Sequence, residues 1–140
     1  MAIVVPHVGM ETLLGVALAS YTAINNIEFR FYTNDVTPDE NSDETTFTQA
    51  STSLILPHEV TYGDWTISSE NGVTTATCPE VDIDVEGTVS LYGYYAWDSD
   101  NDRFLWAERF QAAPYNYGSG GGVLTFTPKL QFRSPWTVIV

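Results

Sequence analysis

The chain has 140 residues, 44% hydrophobic and 14% aromatic, which is enough for one domain with its own core and too apolar for a disordered tail. Eighteen acidic residues against five basic ones give a net charge of −13, which argues against nucleic-acid binding, where phosphate contacts need clustered Lys and Arg, and against an anionic membrane surface. No apolar run approaches the roughly 20 residues of a membrane-spanning helix, no basic region or small-residue cleavage site marks a signal peptide, and the single Cys78 permits no intrachain disulfide, which fits a reducing cytosol.

In chain order, residues 1–8 read as an N-terminal arm in which Ile3 to Val5 form a short strand or extended segment ended by Pro6. Residues 9–22 read as the one helix: Leu13, Leu14, Ala17, Leu18 and Tyr21 recur at helical spacing, and Glu11 in the first turn suits the helix dipole. Gly15 costs that helix about 1 kcal/mol relative to Ala, so it depends on packing. Everything from Asn26 onward reads as β. Ile27, Phe29 and Phe31 alternate with polar residues, and residues 34–53, with Asp35, Asp39, Glu40, Asp43 and Glu44 around Pro38, read as a long exposed acidic loop.

Asp64 to Glu70 and Val73 to Cys78 flank Asn71-Gly72, whose preference for positive φ specifies a type I′ hairpin turn. Val81-Asp82-Ile83-Asp84-Val85 alternates strictly. Thr88 to Trp97 and Phe104 to Phe110 form a second hairpin across Asp98 to Arg103. A flexible turn from Gly118 to Gly122 leads into Val123 to Thr127 and, past Pro128, to Leu130 and Phe132. Seven or eight short strands at regular spacing over residues 27–133 predict a mainly β single domain, an antiparallel β-sandwich or jelly-roll-like barrel with one short N-terminal helix. Residues 134–140 form a C-terminal arm, and no internal repeat or interdomain linker interrupts the chain.

Patterns that could carry chemistry are incomplete. Asp98-Ser99-Asp100-Asn101-Asp102 imitates the opening of a calcium loop, but Arg103 stands where Gly is needed and Arg109 where a bidentate Glu belongs, with Glu108 one residue off. The two histidines, His7 and His58, have no zinc-ligand spacing around them, no Ser sits in a nucleophile elbow, and Gly118-Ser119-Gly120-Gly121-Gly122 lacks the Lys of a phosphate loop. No catalytic residue, metal ligand or cofactor site is therefore expected, and the chain is read as non-enzymatic. Tyr92, Tyr94, Tyr95, Trp97 and Trp106 would serve either as a carbohydrate platform or as hairpin core.

The charge is uneven. Residues 1–102 carry a net −16 and residues 103–140 a net +3, so either C-terminal strands pair with acidic ones inside one fold or copies meet through complementary surfaces. Ser134 to Val140 is a β-prone run without a charged side chain, and its own sheet or a neighbour must cover it. Ile3, Val4, Val5, Trp136, Val138 and Ile139 are accordingly the candidate partner-binding residues, acting as apolar anchors and by strand addition from the two arms. Self-association follows from the same features, a trimer before a dimer.

Met1 to Pro6, the early helix, Phe31 to Pro38, Trp65-Thr66-Ile67 and above all Val89-Ser90-Leu91-Tyr92-Gly93-Tyr94-Tyr95 with Leu105-Trp106-Ala107-Glu108-Arg109-Phe110 resemble a family of small tailed-bacteriophage proteins. The similarity runs to about Gln131, with Phe132 to Val140 as an extension. The resemblance implies a virion structural protein made in the host cytoplasm, foremost a capsid cement or decoration protein that binds the major capsid protein or other virion proteins and stabilises the head. The alternative it leaves is a tail- or neck-associated or host-recognition module that binds a surface glycan or protein.

Overall fold

The computed structural model describes residues 3–19 and 21–133. In chain order it contains α1 (His7–Ala17), β1 (Asn26–Tyr32), β2 (His58–Thr61), a single 3-10 turn (Tyr62–Asp64), β3 (Thr66–Glu70), β4 (Val73–Thr77), β5 (Val81–Val85), β6 (Val89–Leu91), β7 (Gly93–Asp98), β8 (Arg103–Arg109), β9 (Tyr115–Tyr117), β10 (Gly122–Phe126) and β11 (Lys129–Arg133). The chain is mainly β, with one helix and antiparallel pairing throughout.

The alternation in β1 decides where the core lies. Ile27, Phe29 and Phe31 point to one face of a four-stranded sheet ordered β2-β1-β7-β8, and Tyr32 points to the other. On the first face the two-stranded β5–β10 sheet contributes Ile83, Val85, Leu124 and Phe126. The Phe126 ring lies edge-on to Phe29, Phe31 and Tyr94 at 5.4, 5.2 and 5.0 Å between centroids, a geometry that adds about 0.5–1.5 kcal/mol per pair beyond area burial. A bulge sharpens the packing. Ala96 pairs with Trp106 while Trp97 pairs with Phe104, so Leu105 is the extra residue, and Leu105 and Trp106 both enter this core. Two smaller sheets, β11-β4-β3 and β6-β9, complete the set, and none of the four closes into a barrel. The barrel expectation is thereby corrected: β6 leaves β7 at Tyr92 and pairs with β9, so the stretch expected as one strand from Thr88 to Trp97 serves two separate sheets.

Both expected hairpins are present. Asn71 and Gly72 adopt φ of 51° and 76° between β3 and β4, and β7 pairs with β8 across Asp98 to Arg103.

Residues 34–53 form a loop with Asp35, Asp39, Glu40 and Glu44 exposed, as expected, but Phe47 within it is buried. They are irregular but packed, because short polar side chains replace a ladder. Asn34 donates to the Thr46 carbonyl (2.9 Å) and accepts from the Thr48 amide (2.8 Å), while Asp39 and Asp43 close local turns on Asn41 and Thr45. Phe47 is then seated between Tyr32, Tyr95 and Phe104 as a second, smaller core on the sheet's other face.

The helix is also displaced from its expected range of 9–22. It starts at His7 after Pro6, which puts Glu11 beyond the first turn, and it ends at Ala17, with Ala19 in the left-handed region at φ 57°. Its buried residues are Gly9 and Thr12, and it packs on β8. A Cβ on Gly9 would sit 1.8 Å from the Leu105 carbonyl oxygen, so only glycine permits that approach.

Candidate interaction surface

Several titratable groups are committed to structure. Asp98 is fully buried, yet it accepts hydrogen bonds from Arg103 Nε (3.0 Å) and Nη2 and from Asn101 Nδ2 (3.0 Å). The residue that breaks the calcium pattern is thus the internal cation that pairs with Asp98. Arg109 pairs with Asp35 (2.7 Å), donates to the Val36 carbonyl and lies over the Tyr92 ring. Two of the four C-terminal bases therefore answer acids from the N-terminal part of the same chain, as the intramolecular explanation of the charge split requires. Burial pushes the Cys78 thiol up to about 11 and holds His58 below its ordinary value. Among the described residues no group of three His, Cys, Asp or Glu stands close enough to hold a metal ion, and no helix is long and apolar enough to cross a membrane.

The aromatic cluster is core. Tyr94, Tyr95 and Trp106 are buried, while Trp97 and Tyr92 are half-buried with Arg30 and Arg109 stacked on them at 4.7 and 5.3 Å. Of the five aromatic residues weighed as a carbohydrate platform, none presents a free face as a group.

What stands on the surface is the apolar side of α1. Because Gly9 and Thr12 face β8, Met10 and Leu14 on the opposite side and Leu18 at the C-cap, spaced four apart, are 47%, 62% and 75% exposed. The helical periodicity therefore does not mark a core-facing stripe for Leu14 and Leu18, and this corrects the natural inference from it. Gly9 and Thr12, three apart on one side of the helix, were the available signal, since short side chains allow close approach to a sheet. Beside the stripe lies an apolar groove of about 560 Å³, walled by Met10, Leu13 and Leu14 of α1, by Ile3 and Val5, and by Phe132 of β11.

The sequence-derived anchors divide into two groups. Ile3 and Val5 are half-buried and line the groove, while Val4 exchanges backbone hydrogen bonds with Ala107 at 2.9 and 3.0 Å, adding a bridge to the free edge of β8. Strand addition by Val4 is thus already satisfied within the chain. Trp136, Val138 and Ile139, with the rest of the C-terminal arm 134–140 and residues 1 and 2, lie outside the described residues. Met10, Leu14 and Leu18 were not singled out as surface residues from sequence. No family model, curated protein or solved structure matches the chain.

Proposed function

We propose that this chain is a non-enzymatic structural protein that works by binding other proteins, and that it serves as a cement or decoration protein on the head of a tailed bacteriophage. The observation that carries protein binding is the exposed row of Met10, Leu14 and Leu18 on a chain of net charge −13. Burying such a row against a partner stabilises by roughly 1.5–3 kcal/mol per large side chain before ordering costs. The phage particle is supported by the sequence resemblance of the Tyr-Gly-Tyr-Tyr and Leu-Trp-Ala-Glu-Arg-Phe segments. Both segments lie in the central hairpin, so they support a shared fold more than a shared site. The packing of the β5–β10 ribbon across the four-stranded sheet supports reading that fold as a small sandwich. The major capsid protein is the first partner, with self-association on the particle, as a trimer first, the accompanying expectation.

Quantifying copies per purified particle of the encoding phage tests this. One copy for each repeating lattice site is the expected result, and Leu18→Lys, which removes an exposed apolar contact, should lower that number while leaving the fold intact. A handful of copies per particle would favour the tail-associated or host-recognition role, and absence from particles would sink the proposal.

A further inference from the structure

An open sheet edge invites a further strand, and this chain protects its edges unequally. The free side of β8 is bridged by Val4 and that of β5 by Ile55. Strand β2 is short, follows Pro57 and carries the exposed Glu59. Strands β6 and β9 have three residues each, the Val123 carbonyl of β10 accepts from the Tyr117 hydroxyl, and β11 carries Lys129 and Arg133. Strand β3 has none of these devices. It ends the β11-β4-β3 sheet, all five of its residues from Thr66 to Glu70 are exposed, and no Lys, Arg or Pro stands in it. The turn then fixes which backbone groups point outward. A two-residue hairpin closes on a hydrogen-bonded pair, here Glu70 and Val73, so Ser68 with Thr75 and Thr66 with Thr77 are bonded pairs as well. Ile67 and Ser69 therefore turn their N–H and C=O groups away from β4, and among the described residues no other backbone group takes them. The 2.8 Å contact between the Ser69 and Thr74 hydroxyls fits the close side chains of a non-bonded pair.

We infer that a second copy of this chain adds its own β3 to that edge, antiparallel and about a two-fold axis at Ser68. Ile67 of each copy then pairs with Ser69 of the other, which uses every outward N–H and C=O of the two residues. In this register the two Ile67 side chains, 72% exposed in the single chain, become diagonal neighbours across the axis. Glu70 comes to lie opposite Thr66 of the other copy, not opposite a second carboxylate. Charge favours this edge as the meeting place of two acidic chains. Strands β3, β4 and β11 carry Lys129 and Arg133 against the single acid Glu70, and neither base has an ion pair among the described residues. Two such sheets approach with less repulsion than the net charge of −13 implies. The contact uses no residue of α1, so on the particle it links copies of neighbouring trimers and leaves Met10, Leu14 and Leu18 to the capsid.

Light scattering of the isolated full-length protein, at high concentration and physiological salt, should give the mass of a dimer. Ile67→Pro removes an N–H that β4 does not use, a change an edge strand tolerates, and should give a monomer at unchanged circular dichroism. Ile67→Lys serves as a second variant in case proline disturbs the hairpin. It should also be monomeric, although it makes the chain less acidic. Any other mass for the parent protein, or a dimer that persists in either variant, would overturn the inference. Disulfide trapping reads the register. Opposed non-bonded residues of an antiparallel pair have Cα atoms about 4.5 Å apart, close enough for a disulfide. Ser68→Cys should therefore link two chains at least tenfold faster than Glu70→Cys, whose two copies stand on the order of 13 Å apart along the strands. Cys78 does not compete, being buried with its thiol pushed up to about 11. Equal rates for the two variants, or no link in Ser68→Cys, would sink the two-fold pairing. These readouts use the isolated protein, so their failure would leave the particle-binding role of Leu18 standing, and the reverse holds as well.

Discussion

Asp98 has no exposed side chain, and an anion so placed is tolerable only because Arg103 and Asn101 both donate to it. Arg103→Met should therefore lower the unfolding free energy by about 3 kcal/mol in urea titrations, since removing one partner leaves an uncompensated buried charge. A loss below about 0.5 kcal/mol, the range of ordinary surface substitutions, would show that the carboxylate has other support. Calcium should leave the melting temperature of the parent protein unchanged, because the turn already holds its cation. A chelator-reversible rise of several degrees would contradict that, as a ion bound only by the native state must stabilise it. The alternating acids of this turn were legible in the sequence. Arg103 was legible only as a failed calcium position, because a one-dimensional motif scores a side chain against a pattern and does not ask what else could neutralise the buried acid. Asn71-Gly72 was read fully, since its two residues and their positive φ suffice to specify the turn.

At the scale of elements, strands were easier to read than the helix. A strand half-buried in a sheet shows period two directly, as β1 and β5 do. The helix reversed the rule that its largest apolar residues face the core, because its contact with β8 is made by Gly9 and Thr12 at short range. Gly9→Ala should accordingly push α1 off β8 and lower the melting temperature, although alanine is the better helix former. An unchanged or higher melting temperature would show that the helix can shift without loss. The 34–53 segment was legible in part: its carboxylates are on the surface as expected, but the single Phe47 among them has three aromatic neighbours supplied by β1, β7 and β8. Phe47→Ala should cost about 3–5 kcal/mol by denaturant titration, the range for deleting a buried Phe, and hydrogen exchange should show the amides of Thr33, bonded to the Thr48 carbonyl, and of Ala50, bonded to the Phe31 carbonyl, losing protection. Full retention of that protection would mean that the Asn34 and Asp43 turns hold the segment alone.

Over the whole molecule, the order β2-β1-β7-β8 joins strands that are more than 60 residues apart in the chain, and no local pattern announces such a pairing. What the sequence did carry was composition: eight tyrosines in a chain with a large apolar fraction imply that several phenols are buried. Burial pushes Tyr32 up to about 12 and Tyr94 well above its ordinary value of 10, and it raises Tyr95 and Tyr117 as well. Near Tyr94 the Glu108 carboxylate acts in the same direction. A phenol whose folded value lies above its unfolded one binds its proton more tightly in the native state. Its contribution to stability is therefore fully present below pH 10 and is lost as pH rises toward the folded value. Between pH 10 and about 12 the native state should thus weaken progressively. The buried phenols should ionise together with the loss of far-ultraviolet circular dichroism, after the exposed ones have titrated reversibly. Self-repulsion of an acidic chain also grows with pH, so a falling curve alone does not identify the tyrosines. Tyr94→Phe separates the two causes: it leaves the net charge at neutral pH untouched and removes one ionisable phenol from the main core. The slope of unfolding free energy against pH above 10 should become shallower in that variant. Parallel slopes in the two proteins, or eight phenols titrating reversibly with the circular dichroism intact, would show that the core does not hold Tyr94 neutral.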